Sequence, residues 1–134
     1  MPSIKTAPAC DARILVAGVG GDEAIASAVI RAELLDIRYA RYSGDEVASI
    51  PRDLDGIDML VVAATAGRSI DRSALAALAQ TARDSGVLIA AIVVMAEAHD
   101  AGDAVELAVL REAVDMLMVV RDADAIPGIL RSLR

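Results

Sequence analysis

Glycines cluster where an apolar run ends near the start of the chain, and such a cluster could let a phosphate approach the backbone. The run covers residues 14–17, and the cluster after it consists of Gly18, Gly20 and Gly21. Glycine has no Cβ, so backbone N–H groups at such a turn can contact an anion closely. A purely structural tight turn explains the same glycines, and the charges of Asp22 and Glu23 beside them oppose an anionic ligand. On the residues alone, both interpretations stay open.

A second candidate ligand loop follows the apolar run at residues 57–64. It consists of Thr65, Ala66, Gly67, Arg68 and Ser69. Arg68 and Ser69 could contact an anion, and Ser69 also suits the N-cap of the helix that follows. Because the carboxyl ends of parallel strands meet at one edge of a sheet, we expect any ligand to lie between residues 18–21 and 65–69.

The remaining residues with chemical potential have simpler explanations. His99 has no second metal ligand near it in the sequence, and the single cysteine, Cys10, can form no internal disulfide. The three carboxylates near the middle of the chain suit a solvated turn better than a cation site; they are Asp53, Asp55 and Asp58. We therefore predict no catalytic residue, no metal site and a reducing, cytoplasmic location.

Composition excludes several classes of function. The chain has 134 residues, 56% of them hydrophobic, a net charge of −7 and a mean hydropathy of +0.51. The negative charge repels nucleic acid and anionic lipid, and Tyr39 and Tyr42 are the only aromatic residues available for stacking on bases. The longest apolar runs, such as residues 87–96, are too short to span a bilayer. We expect neither a nucleic-acid nor a membrane partner.

Apolar runs alternate with helical patterns along the chain. The predicted strands are residues 13–17, 37–42, 57–64, 87–95 and 116–120, with helices over 22–36, 69–86, 100–115 and from about 125. In the second of these helices one apolar stripe repeats at helical spacing: Ala74, Leu75, Leu78, Ala79 and Ala82. This alternation predicts a three-layer α/β sandwich whose doubly wound, Rossmann-like parallel sheet has the order 2-1-3-4-5. Residues 13–134 form the single domain, after a loose arm at 1–12.

Several stretches resemble the FtsZ branch of the FtsZ/tubulin family. Residues 110–120, LREAVDMLMVV, are similar to its LREAVDTLIVI stretch, and residues 14–21 resemble its first strand and glycine loop. Residues 57–64 and 79–94 are similar to a further strand and to a helix and strand of the family, in the same order. The resemblance implies GTP or GDP as ligand, bound by the two loops described above.

The sequence also departs from that family. The family's GGGTGTG phosphate loop would fall just after Gly67, where this chain continues with Arg68 and Ser69, and the acidic residues that the family uses for hydrolysis have no counterpart. The resemblance therefore implies a degenerate module that binds other proteins or itself, with a link to cell division. The alternative is a GTP- or GDP-binding protein with little or no hydrolysis.

The apolar composition also predicts a homodimer. A small domain with this few polar residues should leave apolar surface that another protein covers. The sequence points to residues 116–120 and 126–133 as the contact, because the family's continuation would pack there.

Overall fold

The computed structural model describes residues 13–19, 23–32, 37–42, 44–65, 70–95 and 101–133. The elements in chain order are β1 (Ile14–Gly18), α1 (Glu23–Arg31), β2 (Ile37–Arg41), a 3-10 helix (Gly44–Ser49), α2 (Ile50–Asp53), β3 (Met59–Thr65), α3 (Arg72–Ser85), β4 (Leu88–Val94), α4 (Ala101–Ala113), β5 (Met116–Val120), a second 3-10 helix (Ala123–Ala125) and α5 (Ile126–Leu133). Every strand that the sequence predicts is present, within a few residues of its predicted bounds.

The five strands form one parallel sheet in the order β2-β1-β3-β4-β5, which confirms the predicted Rossmann-like topology. Alternate strand residues face two separate apolar cores. One core joins the sheet to α3, as at Leu78, and the other joins it to α1 and α5, as at Ile25 and Leu130. The sheet is therefore covered on both faces, as parallel sheets are.

Helix α3 shows how local sequence fixes an element. Its predicted apolar stripe is buried in full. The Asp71 carboxylate accepts a hydrogen bond from the Ala74 N–H at 3.0 Å and so caps the helix. Gly86 ends it in the left-handed region, with φ of 72°, which a side chain would disfavour. The predicted cap at Ser69 is wrong, because α3 begins only at Arg72.

Two further predictions need correction. Helix α1 ends at Arg31, short of the predicted residue 36, although residues 33–36 lie outside the described part. Residues 126–133 do not offer an apolar surface as a whole, because Ile126 and Leu130 are 0% exposed in the core between α5 and the sheet. Among the described residues, no helix has both the length and the apolar character to cross a bilayer.

Candidate functional site

The predicted ligand loops follow adjacent strands at the carboxyl edge of the sheet. Gly18 ends β1 and Thr65 ends β3, and these two strands pair directly. The Asp71 N–H donates to the Val19 carbonyl at 2.8 Å, which ties the chain after β1 to the start of α3. The other predicted site residues lie outside the described part: Gly20, Gly21, Ala66, Gly67, Arg68 and Ser69. His99 and Cys10 lie outside it as well.

Gly18 has a packing role that the sequence did not indicate. A Cβ built on Gly18 would collide with the hydroxyl of Tyr39 and come within 3.1 Å of that ring's Cζ. Tyr39 pairs with Val16 on neighbouring strands, and its side chain extends toward Gly18 along the sheet. The Gly18 carbonyl also accepts from the Tyr42 N–H at 2.9 Å. The glycine thus makes room for a tyrosine ring, where the sequence interpretation placed a phosphate.

Thr65 presents a different situation at the end of β3. Its Oγ1 is buried and has no hydrogen-bond partner among the described residues. A buried hydroxyl without a partner loses free energy relative to water, so a ligand or a water molecule that bonds to it would stabilise this edge. Of the predicted site residues that the structure describes, Thr65 is the one with a polar side chain.

The charged side chains near this edge do not form a metal site. Asp71 caps α3, and among the described residues no group of three or more His, Cys, Asp or Glu is arranged to hold a metal ion. The acidic residues near the middle of the chain serve local structure instead. The Asp53 carboxylate accepts from the Tyr42 hydroxyl at 2.7 Å, and that of Asp58 accepts from the Arg13 N–H at 2.9 Å.

Two surface hollows lie away from the predicted loops. A cleft of about 320 Å³ at the amino edge of the sheet is lined by Arg13, Arg38, Asp55, Gly56 and Ile57. A groove of about 490 Å³ runs between α1 and α5, with the exposed ion pair of Arg31 and Asp124, 3.5 Å apart, in its lining. The residues given above as lining these hollows include no predicted site residue. The Arg31–Asp124 pair is exposed, and exposed ion pairs contribute little to the free energy of unfolding.

Strand β5 lies at one edge of the sheet and has exposed apolar side chains. Among the described strands it pairs with β4 alone, and all five of its residues are apolar. Met116 is 39% exposed and Val119 is 53% exposed. Their register partners on β4 are Ala90 and Val93, which belong to the two different cores, so the two exposed residues lie on opposite faces of the sheet.

The other edge strand, β2, is built differently. Arg38 and Arg41 are exposed along it. Charged residues on an edge strand discourage pairing with another chain, whereas a flat apolar edge invites it. Of the two edge strands in the described sheet, β5 is the one whose sequence is apolar throughout. The five apolar residues of β5 contain no charge, and a buried strand has the same pattern. The sequence alone therefore does not distinguish an open apolar edge from a buried strand.

Comparison with known proteins gives a fold and no family. No protein-family model matches the sequence, and no curated protein matches it. Solved structures do match. A de novo designed Rossmann 2x3 fold protein has 14% identity and a TM-score of 0.57, over 91% of this chain and 88% of that one.

Two natural proteins are similar at the same level. The receiver domain of a histidine kinase from Arabidopsis thaliana, solved in complex with Mg²⁺, has 13% identity and a TM-score of 0.53, over 92% of each chain. A protein named as pilus assembly-related from Burkholderia pseudomallei has 20% identity and a TM-score of 0.51, over 91% of this chain and 88% of that one. At these identities, the similarity establishes the fold alone.

These comparisons overturn the resemblance to the FtsZ/tubulin family. The structures described above have receiver-like and Rossmann-like folds, and none of them is an FtsZ or tubulin structure. The stretch that carried the resemblance, residues 110–120, is the end of an amphipathic helix followed by an apolar strand. Doubly wound sheets in general use that pattern, so it does not identify a family. The expected link to cell division rested on this resemblance and is dropped.

Proposed function

We propose that this chain acts as a self-association module, in which strand β5 pairs with the same strand of a second copy. The observation that carries the proposal is the apolar edge itself: Met116 and Val119 are exposed on opposite faces of a strand whose outer side pairs with none of the described strands. Pairing there would satisfy open backbone groups and cover apolar side chains on both faces in one contact.

The flanking helices leave room for such a contact. Helix α4 precedes β5 and lies with the core that includes Leu110, and α5 lies with the other core. If either helix closed over the edge, Val119 or Met116 would be buried, and both are exposed. A second copy can therefore approach the strand from its open side.

Replacing Val119 with lysine is expected to abolish the dimer while the chain stays folded. The charge would have to lose its hydration inside the strand pair, whereas in the single chain the residue is 53% exposed and tolerates it. The measurement is mass by light scattering over a range of micromolar concentrations. The unchanged protein should move from monomer to dimer mass as concentration rises, and Val119→Lys should stay monomeric.

The matched control is Ile30→Lys. Ile30 on α1 is another exposed aliphatic residue, at 63%, and it lies away from β5. This variant makes the same chemical change at a similar exposure, so it should dimerise as the unchanged protein does. A persistent monomer mass for the unchanged protein at every concentration, or equal loss of dimer in both variants, would contradict the proposal.

A second candidate is binding of an anionic ligand such as a nucleotide at the carboxyl edge of the sheet; GTP and GDP in particular were implied only by the resemblance that the comparisons overturn. The observation that favours it is the buried Thr65 Oγ1 without a partner among the described residues. The observation that opposes it is the tyrosine ring over Gly18, where a phosphate would have to approach. We keep it as the alternative function.

Under this alternative we expect binding without turnover. Phosphoryl transfer needs a positioned water and neutralisation of the developing charge, and the described residues provide no such set. Calorimetric titration with GTP, GDP and ATP measures binding, and phosphate release measures hydrolysis, which should not exceed that of a buffer blank. Magnesium-dependent release that Thr65→Val removes would refute the expectation. No heat with any of the three nucleotides would refute the alternative as a whole.

A further inference from the structure

We infer that the two copies pair through antiparallel β5 strands about a twofold axis at Met118, which joins their sheets into one continuous sheet. This inference rests on the proposed function and goes beyond it, because it fixes the orientation and register of the contact. Each copy then places Asp115 opposite Arg121 of its partner. The contact is thus held by apolar residues in its centre and by an ion pair at each end.

The orientation follows from symmetry. A twofold axis perpendicular to the sheet makes two identical edge strands antiparallel and keeps each face of one sheet continuous with the same face of the other. Residues that lie directly opposite each other in such a pair have side chains on the same face. Residues of β5 alternate between the faces, so opposite residues must be an even number of positions apart in the sequence. The axis therefore lies midway between one residue of β5 and the same residue of the second copy.

The register follows from which residue lies at the axis. With Met118 there, Met116 is opposite Val120 and Leu117 is opposite Val119, so every apolar residue has an apolar partner. With Leu117 at the axis, Asp115 would be opposite Val119, and with Val119 there, Arg121 would be opposite Leu117. Each of these shifts places a charge against an apolar side chain, which is unfavourable.

The exposed residues agree with the register centred on Met118. Val119, exposed on one face, would pack beside Leu117 of the partner, which is half-buried with the core below it. Met116, exposed on the other face, would pack beside the partner's Val120, which is half-buried with the second core. The same pairing therefore extends both cores across the contact.

Charges at the strand ends complete the match. Asp115 and Arg121 are both exposed, and they flank β5 immediately on either side. One Asp115 oxygen accepts from the Ile89 N–H of β4 at 3.2 Å, which holds the carboxylate at the amino end of the β4–β5 pair. The Arg121 side chain makes no hydrogen bond or ion pair with any other described residue, so its guanidinium is available to a partner.

Cysteine cross-linking tests the register directly. In a Cys10→Ser background, Met118→Cys places two cysteines directly opposite each other, with Cα atoms about 4.5–5.5 Å apart, within reach of a disulfide. In Val119→Cys the two introduced cysteines, one from each copy, lie diagonally across the strand pair. Their Cα atoms are then about 7–8 Å apart, which is too far for a disulfide. Under mild oxidation, Met118→Cys should give covalent dimer and Val119→Cys should not, although position 119 is the more exposed.

Charge reversal tests the ion pairs independently. Arg121→Glu would face the partner's Asp115 at both ends of the contact, and we expect the dissociation constant to rise about tenfold or more at low salt. The increase should shrink as salt screens the charges. The control is Arg41→Glu, an identical change at the last residue of the opposite edge strand, β2, and it should leave the constant unchanged.

The possible results separate the inference from the proposed function. Suppose that Val119→Lys disrupts the dimer. If the cross-link then forms at position 119 and not at 118, or if Arg121→Glu leaves the dissociation constant unchanged, the register is wrong and self-association still stands. A protein that is monomeric at all concentrations overturns both. Cross-linking at 118 together with the salt-dependent effect of Arg121→Glu supports both.

Discussion

Alanine at position 18 is expected to lower the free energy of unfolding by about 1–3 kcal/mol, the range for overpacking a close-packed site. The added methyl would meet the Tyr39 ring, which lies on the same face of the paired strands β1 and β2. Either the ring or the strand has to shift. Urea denaturation monitored by circular dichroism would measure the loss.

Two comparisons isolate this contact. Removing the ring in Tyr39→Ala should make a subsequent Gly18→Ala change nearly neutral, and the difference between the two backgrounds is the coupling energy. Gly128→Ala adds the same methyl inside α5, where no atom apart from neighbouring residues and the helix's own backbone lies within 4 Å, so it should be neutral or slightly stabilising. Equal losses for Gly18→Ala with and without the ring would show that Tyr39 is not the cause.

Truncation of Ile92 to alanine should destabilise the protein further, by about 2–5 kcal/mol and toward the upper part of that range. Ile92 is 0% exposed near the middle of β4, and its register partner on β3 is Ala63. On the same strand and face, Ala90 is also small. Alanine neighbours have few atoms with which to fill a cavity, so the space left by the deleted atoms should persist. Thermal or urea unfolding would measure the effect.

Leu88→Ala is the control for Ile92→Ala. Leu88 lies on the same strand and the same face, but it is 48% exposed at the amino edge of the sheet. Its truncation leaves no enclosed cavity, so we expect a loss of about 0.5 kcal/mol or less, as for other surface substitutions. If the two variants lost the same stability, burial would not be the reason for the Ile92 effect.

The sequence was sufficient for the fold because each element has its own periodic signal. The buried stripe of α3 and its end at Gly86 were predicted residue by residue. Short apolar runs with branched residues, such as residues 59–64, are typical of buried strands. Alternation of such strands with helices then restricts the topology, since crossovers between parallel strands are right-handed.

The candidate site was harder to predict from the sequence than the fold, because it depends on contacts between strands. Gly18 looks the same in a sequence whether the space beside it holds a phosphate or the Tyr39 ring, and only the register of β1 against β2 decides. The helix cap at Asp71 in place of Ser69 is a similar case, since both residue types can cap. The apolar sequence of β5 predicted a strand but could not show that its outer side is open.

The two edges of the sheet differ, and this difference would limit the size of the assembly that we propose. A strand that pairs with its own copy uses up the apolar edge of both chains in a single event, and what remains at the two ends of the joined sheet is β2. Continued growth of the joined sheet would need β2 of one pair to lie along β2 of another, which would bring the exposed Arg38 and Arg41 of both chains close together. If β5 pairs with β5 as proposed, ribbons and fibres of the kind that open interfaces produce are disfavoured, and the assembly would stop at two chains.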